Sequence, residues 1–257
     1  MQIVPRHYRF QTTLLLARAT IPLFVHAAAY REQSIKNFHR PDEIVLFLLL
    51  NALTKNGTHF DLEIVVKGYR HVERAYAKGK GVLVTGHHAA LTLLMVRFLH
   101  DKEFRPIVIT PDANFKVPGT SVRTETIQPS RMFLVHLRSK LRQGKVICAM
   151  PDRAKHHGRR TIEFATPAGP VIMAPAIMEV AARCGATVLF TEVRVEGHQL
   201  VTTIAAPAAS PAGDASAIVT DFMSFVRERT APPAATASSS GNNTHRFGFL
   251  SLPANRR

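Results

Sequence analysis

Two adjacent histidines, His87 and His88, stand at a junction in the segment Lys80 to Thr92, KGVLVTGHHAALT. Val82 to Val84 is a short apolar run between glycines, the pattern of a parallel strand buried on both faces. Such a strand, ending at Thr85-Gly86, delivers both histidines to the start of the next helix. In open α/β sheets, sites form beyond the carboxyl ends of the strands. An imidazole there can take the proton of a hydroxyl as a general base. The N–H groups of the adjacent helix start can hold an anion. The plain alternative is a polar loop with no chemistry.

A second set of polar groups follows another buried run, Val146 to Met150. Asp152 comes just after it and so belongs to the same sheet end as His87. From Arg153 the chain runs RAKHHGRR, with Arg153, Lys155, Arg159, Arg160 and two histidines around Gly158. Guanidinium groups grip phosphate oxygens in pairs and an ammonium acts as a point charge, so the cluster suits phosphate groups. The alternative is a solvated basic loop. His156 and His157 with Asp152 match no zinc spacing, so no metal is expected. Cys148 lies within a strand and Cys184 near a helix end, and both read as core residues rather than nucleophiles. Two cysteines cannot build a disulfide framework and fit a reducing compartment.

Strands and helices must alternate to hold these groups. Strands are expected over 62–66, 82–84, 107–109, 146–150, 187–195 and 200–205, the last two joined by a turn at Gly197-His198. Helices are expected over 68–78, 89–100, 131–143, 171–184 and 215–229. Residues 111–129 hold four prolines or glycines and read as a long functional loop. The pattern predicts an α/β domain, a mostly parallel central sheet flanked by helices. Upstream, Pro41-Asp42-Glu43 opens a helix and Gly57 ends it. The apolar stretch Thr12 to Tyr30 is broken by Arg18, Pro22 and His26, unlike the roughly 20 apolar residues of a spanning helix. It is not read as a secretory signal either. An amphipathic or buried helix with basic flanks fits better, and a helix lying in the membrane interface is the functional version of that reading. Residues 1–57 are thus expected to form an N-terminal helical, membrane-associating segment and 58–230 the α/β domain. Residues 231–257, low in complexity, are expected to be a disordered tail.

The charge balance narrows the partners. Against 33 Lys+Arg stand 18 Asp+Glu, a formal net charge of +15. The tail after Thr230 holds three arginines and no acid, so most of the excess belongs to the body. Such an excess points to nucleic acid, an anionic membrane or an acidic carrier. No nucleic-acid motif is present, tyrosines are few and tryptophan is absent, which disfavours nucleic acid. A hydrophobic fraction of 46% excludes wholesale disorder.

The chain resembles the lipid A biosynthesis (lauroyl/myristoyl) acyltransferases, a branch of the lysophospholipid acyltransferase superfamily. Three segments carry the resemblance in order: VVKGYRHVERAYAKGKGVLVTGHH, LRQGKVICAMPDRA, and PAGPVIMAPAIMEVAARCGATVLFTEVRVEG. They look like the family's lead-in helix, strand and catalytic histidine, its second strand ending in an aspartate, and its late loop, helix and strand. The match spans roughly residues 60–205, with a looser likeness in the N-terminal helices. It implies a lysophospholipid-acyltransferase-like fold with membrane-associated N-terminal helices at the cytoplasmic face of a bacterial inner membrane. It also implies transfer of a fatty acyl chain from acyl carrier protein or coenzyme A to a hydroxyl of a membrane lipid, such as a lipid A precursor. No cofactor is implied beyond that thioester co-substrate. His87 sits at the family's histidine position and Asp152 at its aspartate. His88, Arg153, Lys155, Arg159 and Arg160 would bind acceptor phosphates or the carrier's phosphopantetheine. The family's middle arginine matches Arg123 best, with Arg105 as the alternative. Gly169 and Pro170 would keep the tight turn of the late block.

One departure matters. The family places an acid five residues after its histidine, where it orients the imidazole and stabilises its charge. Thr92 stands there, and Leu93 follows His88 at the same spacing. Losing the orienting carboxylate in a comparable triad costs about four orders of magnitude in rate. Three readings follow: Thr92 orients His87 by a neutral hydrogen bond, an acid from elsewhere such as Asp152 or Asp112 substitutes, or the protein binds lipid or carrier without turnover.

Overall fold

A computed structural model describes residues 5–29, 41–55, 64–87, 89, 91–152, 160–208 and 214–231. Helices α1 (Arg6–Ala29) and α2 (Pro41–Lys55) come first, then strand β1 (Ile64–Lys67), α3 (Tyr69–Ala77), β2 (Val82–Thr85) and α4 (Leu94–Asp101). Next come β3 (Ile107–Ile109), β4 (Thr126–Ile127), α5 (Phe133–Arg142) and β5 (Val146–Ala149). The chain continues with β6 (Ile162–Thr166), β7 (Gly169–Met173), α6 (Ala176–Arg183), β8 (Thr187–Glu196), β9 (Gln199–Ala205) and α7 (Ala215–Thr230).

The seven-stranded sheet has the order β1-β9-β8-β2-β5-β3-β4. It is parallel from β8 to β4, and β8 turns back antiparallel into β9. Gly197, at φ 62°, takes the first central position of that two-residue turn, which only glycine adopts readily. The protein is therefore α/β, with a mostly parallel mixed sheet flanked by helices. Alternation along each strand divides two apolar layers. Val82, Val84, Val108, Val146, Cys148 and Leu189 pack with α1, α2, α3 and α4 on one face. Leu83, Ile107, Ile147, Ala149, Val188 and Phe190 pack with α5, α6 and α7 on the other. Because every residue of β2 is buried, Val82–Val84 is continuously apolar rather than alternating, with Thr85 the one polar member. Each fully buried Leu or Phe contributes roughly 1.5–3 kcal/mol.

Several elements differ from the sequence expectation. The helix expected over 171–184 starts at Ala176, because Gly169–Met173 is β7, paired antiparallel with β6. Pro175 separates the two as the helix cap, its ring holding φ at −70°. The helix expected over 89–100 starts at Leu94, and tight turns lead into it: Leu94 N–H donates to Leu91 O and Met95 N–H to Thr92 O. The loop expected over 111–129 contains β4 and an isolated antiparallel bridge between Lys116 and Arg123. The end of α2 is observed at Lys55, while Gly57 lies outside the described residues. Among the described residues no helix is long and apolar enough to cross a membrane. Tyr8, Leu15, Leu16 and Leu48 are exposed on α1 and α2. Of the tail, only residue 231 is described.

Candidate active site

The central strand β2 ends level with both of its neighbours: Thr85 pairs with Ala149 of β5 and with Phe190 of β8. Gly86 N–H reaches the Ala149 carbonyl at 3.4 Å. His87 thus follows β2 and Asp152 follows β5 at the carboxyl end of two adjacent parallel strands, whose spacing is about 4.8 Å. Both residues are half-buried, and His87 Nδ1 and Asp152 Oδ1 are sealed from solvent.

A cavity of about 230 Å³ lies at this sheet end. Its wall comprises Val84 and Gly86 from β2 and its end, Val108 and Ile109 from β3, Cys148, Ala149 and Met150 at the end of β5, and Met95 and Val96 from α4. Phe47 from α2 and Phe115 from the loop after β3 close it. The polar members are Thr92, Thr110 and Thr191. His87 and Asp152 are not part of this wall, though each lies one or two residues from a member of it. Gly86 is required by close approach rather than by its φ. A Cβ there would overlap the Thr191 carbonyl oxygen and press on Thr92 Cγ2 at 3.0 Å.

Thr92 is 3% exposed, and its Oγ1 makes no hydrogen bond to any described residue, His87 included. Thr191 Oγ1, on the part of β8 beyond its pairing with β2, is likewise buried and without a hydrogen-bond partner among the described residues. Asp112 is exposed, and its Oδ1 accepts from Asn114 N–H at 2.9 Å.

Of the other predicted residues, those that are described stand apart from one another in the fold. His88, Arg153, Lys155 and Arg159 lie outside the described residues. Arg160 is exposed and meets Glu179 of α6 at 3.3 Å. Arg123 precedes Thr124, whose hydroxyl donates to the Pro106 carbonyl before β3. It therefore sits level with the amino end of that strand, as does Arg105, and it bridges to Lys116, next to Phe115 of the cavity wall. Gly169, at φ 114°, and Pro170 do not make the turn: they open β7 opposite Thr166 and Ala165, Pro167 and Ala168 form the tip of the β6–β7 hairpin, and Thr166 Oγ1 donates to Gly169 O. The base of that hairpin is what reaches the site, since Ala174 N–H donates to Pro151 O beside Asp152. Among the described residues no group of three or more His, Cys, Asp or Glu side chains could hold a metal ion.

Two titratable groups on the strands that wall the cavity are buried. Burial pushes the Cys148 thiol up to about 12, which keeps it protonated and unreactive in the wall. Glu192, next to Thr191, has its carboxyl raised mainly by burial and further by Glu43, against the lowering effect of Arg194 and Arg229. Its Oε1 meets Arg194 Nε at 2.5 Å and its Oε2 lies 3.9 Å from Arg229 Nε. Glu43 of α2 is also buried, and its Oε1 accepts from Val195 N–H at 3.1 Å, on β8 past the end of β2. One turn later, Phe47 reaches the cavity from the same helix.

Sequence reasoning missed Phe47, Gly86 and Thr191. A threonine in a strand and a phenylalanine in an apolar helix carry no signal of their own, because both are ordinary for their elements. No family model matches the chain, and a search of curated proteins returns no match either.

Proposed function

We propose that the protein is a lipid acyltransferase with a lysophospholipid-acyltransferase-like fold. His87 takes the proton of an acceptor hydroxyl as the oxygen attacks the carbonyl of a fatty acyl thioester. The C–S bond breaks, and the thiolate of acyl carrier protein or coenzyme A leaves with the proton from the imidazole. The observation that carries this reading is the apolar cavity at the carboxyl end of β2, whose wall includes the residue before His87. A cavity of this lining suits an acyl chain. Asp152 is the better candidate to orient the imidazole. It is half-buried beyond the neighbouring strand, whereas Asp112 is exposed and engaged with its own loop. Arg153, Lys155, Arg159 and Arg160 would hold acceptor or carrier phosphates.

The charge distribution supports an anionic membrane surface, proposed to be the cytoplasmic face of a bacterial inner membrane, and an acidic carrier. Residues 128–151 contain no acid. The exposed face of α5 and its flanks carries Arg131, Arg138, Arg142 and Lys145 beside exposed Met132 and Val135. The proposed acceptor is a membrane lipid such as a lipid A precursor.

A non-catalytic lipid- or carrier-binding role is the second reading, favoured by the absence of a hydrogen bond between Thr92 and His87. Incubation with labelled acyl carrier protein thioester and membrane lipids separates the two. Labelled lipid is expected with the wild type and not with folded His87→Ala. Turnover by His87→Ala overturns the mechanism, and liposome binding by the wild type without turnover supports the second reading.

A further inference from the structure

We infer that the cavity selects a chain bearing an oxygen atom along its length, a hydroxy- or oxo-substituted acyl chain, and that Thr92 and Thr191 read that oxygen. This rests on the acyl-site reading above and names its substrate class. The two threonines come from different elements, the turn before α4 and the strand β8, yet both pack around Gly86, through Thr92 Cγ2 and the Thr191 carbonyl, and both line the same cavity. Thr92 is 3% and Thr191 2% exposed, and neither Oγ1 has a hydrogen-bond partner among the described residues. Thr110, the third hydroxyl in the wall, already accepts from Asp112 N–H at 3.2 Å. The remaining wall is Val, Ile, Met, Phe, Pro, Ala, Leu, Cys and Gly.

A hydroxyl sealed in an apolar wall has lost its water and gained nothing, so it destabilises the fold unless something polar enters. Valine has nearly the same shape, suits a strand equally well and carries no such penalty. A plain alkyl chain leaves both hydroxyls unpaired, whereas a chain with an oxygen at the right depth pairs with them once rotation about χ1 turns each Oγ1 toward the cavity. A site built around a ligand oxygen disfavours the analogue lacking it more strongly than an apolar pocket disfavours a missing methylene.

The test measures displacement of a fluorescent fatty acid by medium-chain fatty acids, either plain or with one hydroxyl or keto group at successive positions. For the wild type, one position is expected to tighten binding about five- to tenfold over the plain chain. Thr92→Val/Thr191→Val should lose that preference, bind the plain chain at least as well and melt no lower than the wild type. Thr92→Ser and Thr191→Ser, which keep the hydroxyl, should retain the preference. Equal binding of plain and oxygenated chains by the wild type, or a preference that survives in the double valine variant, overturns this inference alone. If no chain of either kind binds, the acyl-site reading falls and this inference with it.

Discussion

Gly86→Ala is the sharpest test of the packing that shapes the site. Its φ is not in the left-handed region, so an alanine meets no backbone strain there. The obstacle is space. The added methyl overlaps the Thr191 carbonyl oxygen and lies 3.0 Å from Thr92 Cγ2. Thr191 follows directly on Phe190, which is locked in register with Thr85, so the backbone oxygen cannot swing aside without parting two central strands. Overpacking of this kind costs about 1–3 kcal/mol, offset by about 0.4–1 kcal/mol from the stiffer unfolded chain. A net loss of about 1–2 kcal/mol lowers the melting temperature of a domain this size by roughly 2–8 °C. The assay is thermal denaturation of Gly86→Ala alone and with Thr92→Ser, which removes Cγ2. Because the harder contact is with backbone, the serine should restore only a small part of the loss. An unchanged melting temperature for Gly86→Ala, or full rescue by Thr92→Ser, would refute the reasoning.

Two further predictions concern the buried titratable groups. With its thiol pushed up to about 12, Cys148 should resist a thiol reagent at mildly alkaline pH while partly exposed Cys184 reacts, and both should react after unfolding. Native labelling of both at equal rates contradicts that. For Glu192, the folded protein holds the proton more tightly than the unfolded chain. Its contribution to stability is therefore fully present below the ordinary carboxylate value and is lost as pH rises through the raised one. In denaturant titrations the difference between wild type and Glu192→Gln should shift toward the wild type as pH falls through that window, by at most about 1.4 kcal/mol per pH unit. A pH-independent difference, or one of opposite sign, counts against it.

What was legible in the sequence follows burial. β2 and β5 stood out because a parallel strand covered on both faces is apolar throughout, and the glycines around β2 mark its ends. That was enough to locate His87 and Asp152 at one sheet end. The β6–β7 hairpin was hidden because its second half, Gly169–Met173, carries no charge and runs into the apolar helix α6. Pro175, well placed to cap a helix and poorly placed inside one, was the usable signal. β4 is only Thr126–Ile127 and exists through its pairing with β3, so it has no periodicity to detect. The cavity was beyond sequence reasoning altogether, since its wall draws on α2, the β2 end, α4, β3, β5 and β8.

The N-terminal helices shape that cavity. Val84, Met95, Val96, Val108 and Cys148 all belong to the apolar layer shared with α1 and α2, so the cavity lies between the sheet and that layer. The opposite layer, under α5, α6 and α7, contributes only Ala149 and the partly buried Ile109. α2 closes the cavity with Phe47 and, one turn earlier, is tied by the Glu43 carboxylate to the Val195 N–H that β2 leaves open. An unpaired N–H on a buried strand edge is costly, and the carboxylate that satisfies it is itself buried near Glu192. Each group holds the other in place. The same anchoring fixes the position of Phe47, so the helix that completes the strand edge also sets the depth of the cavity beside His87.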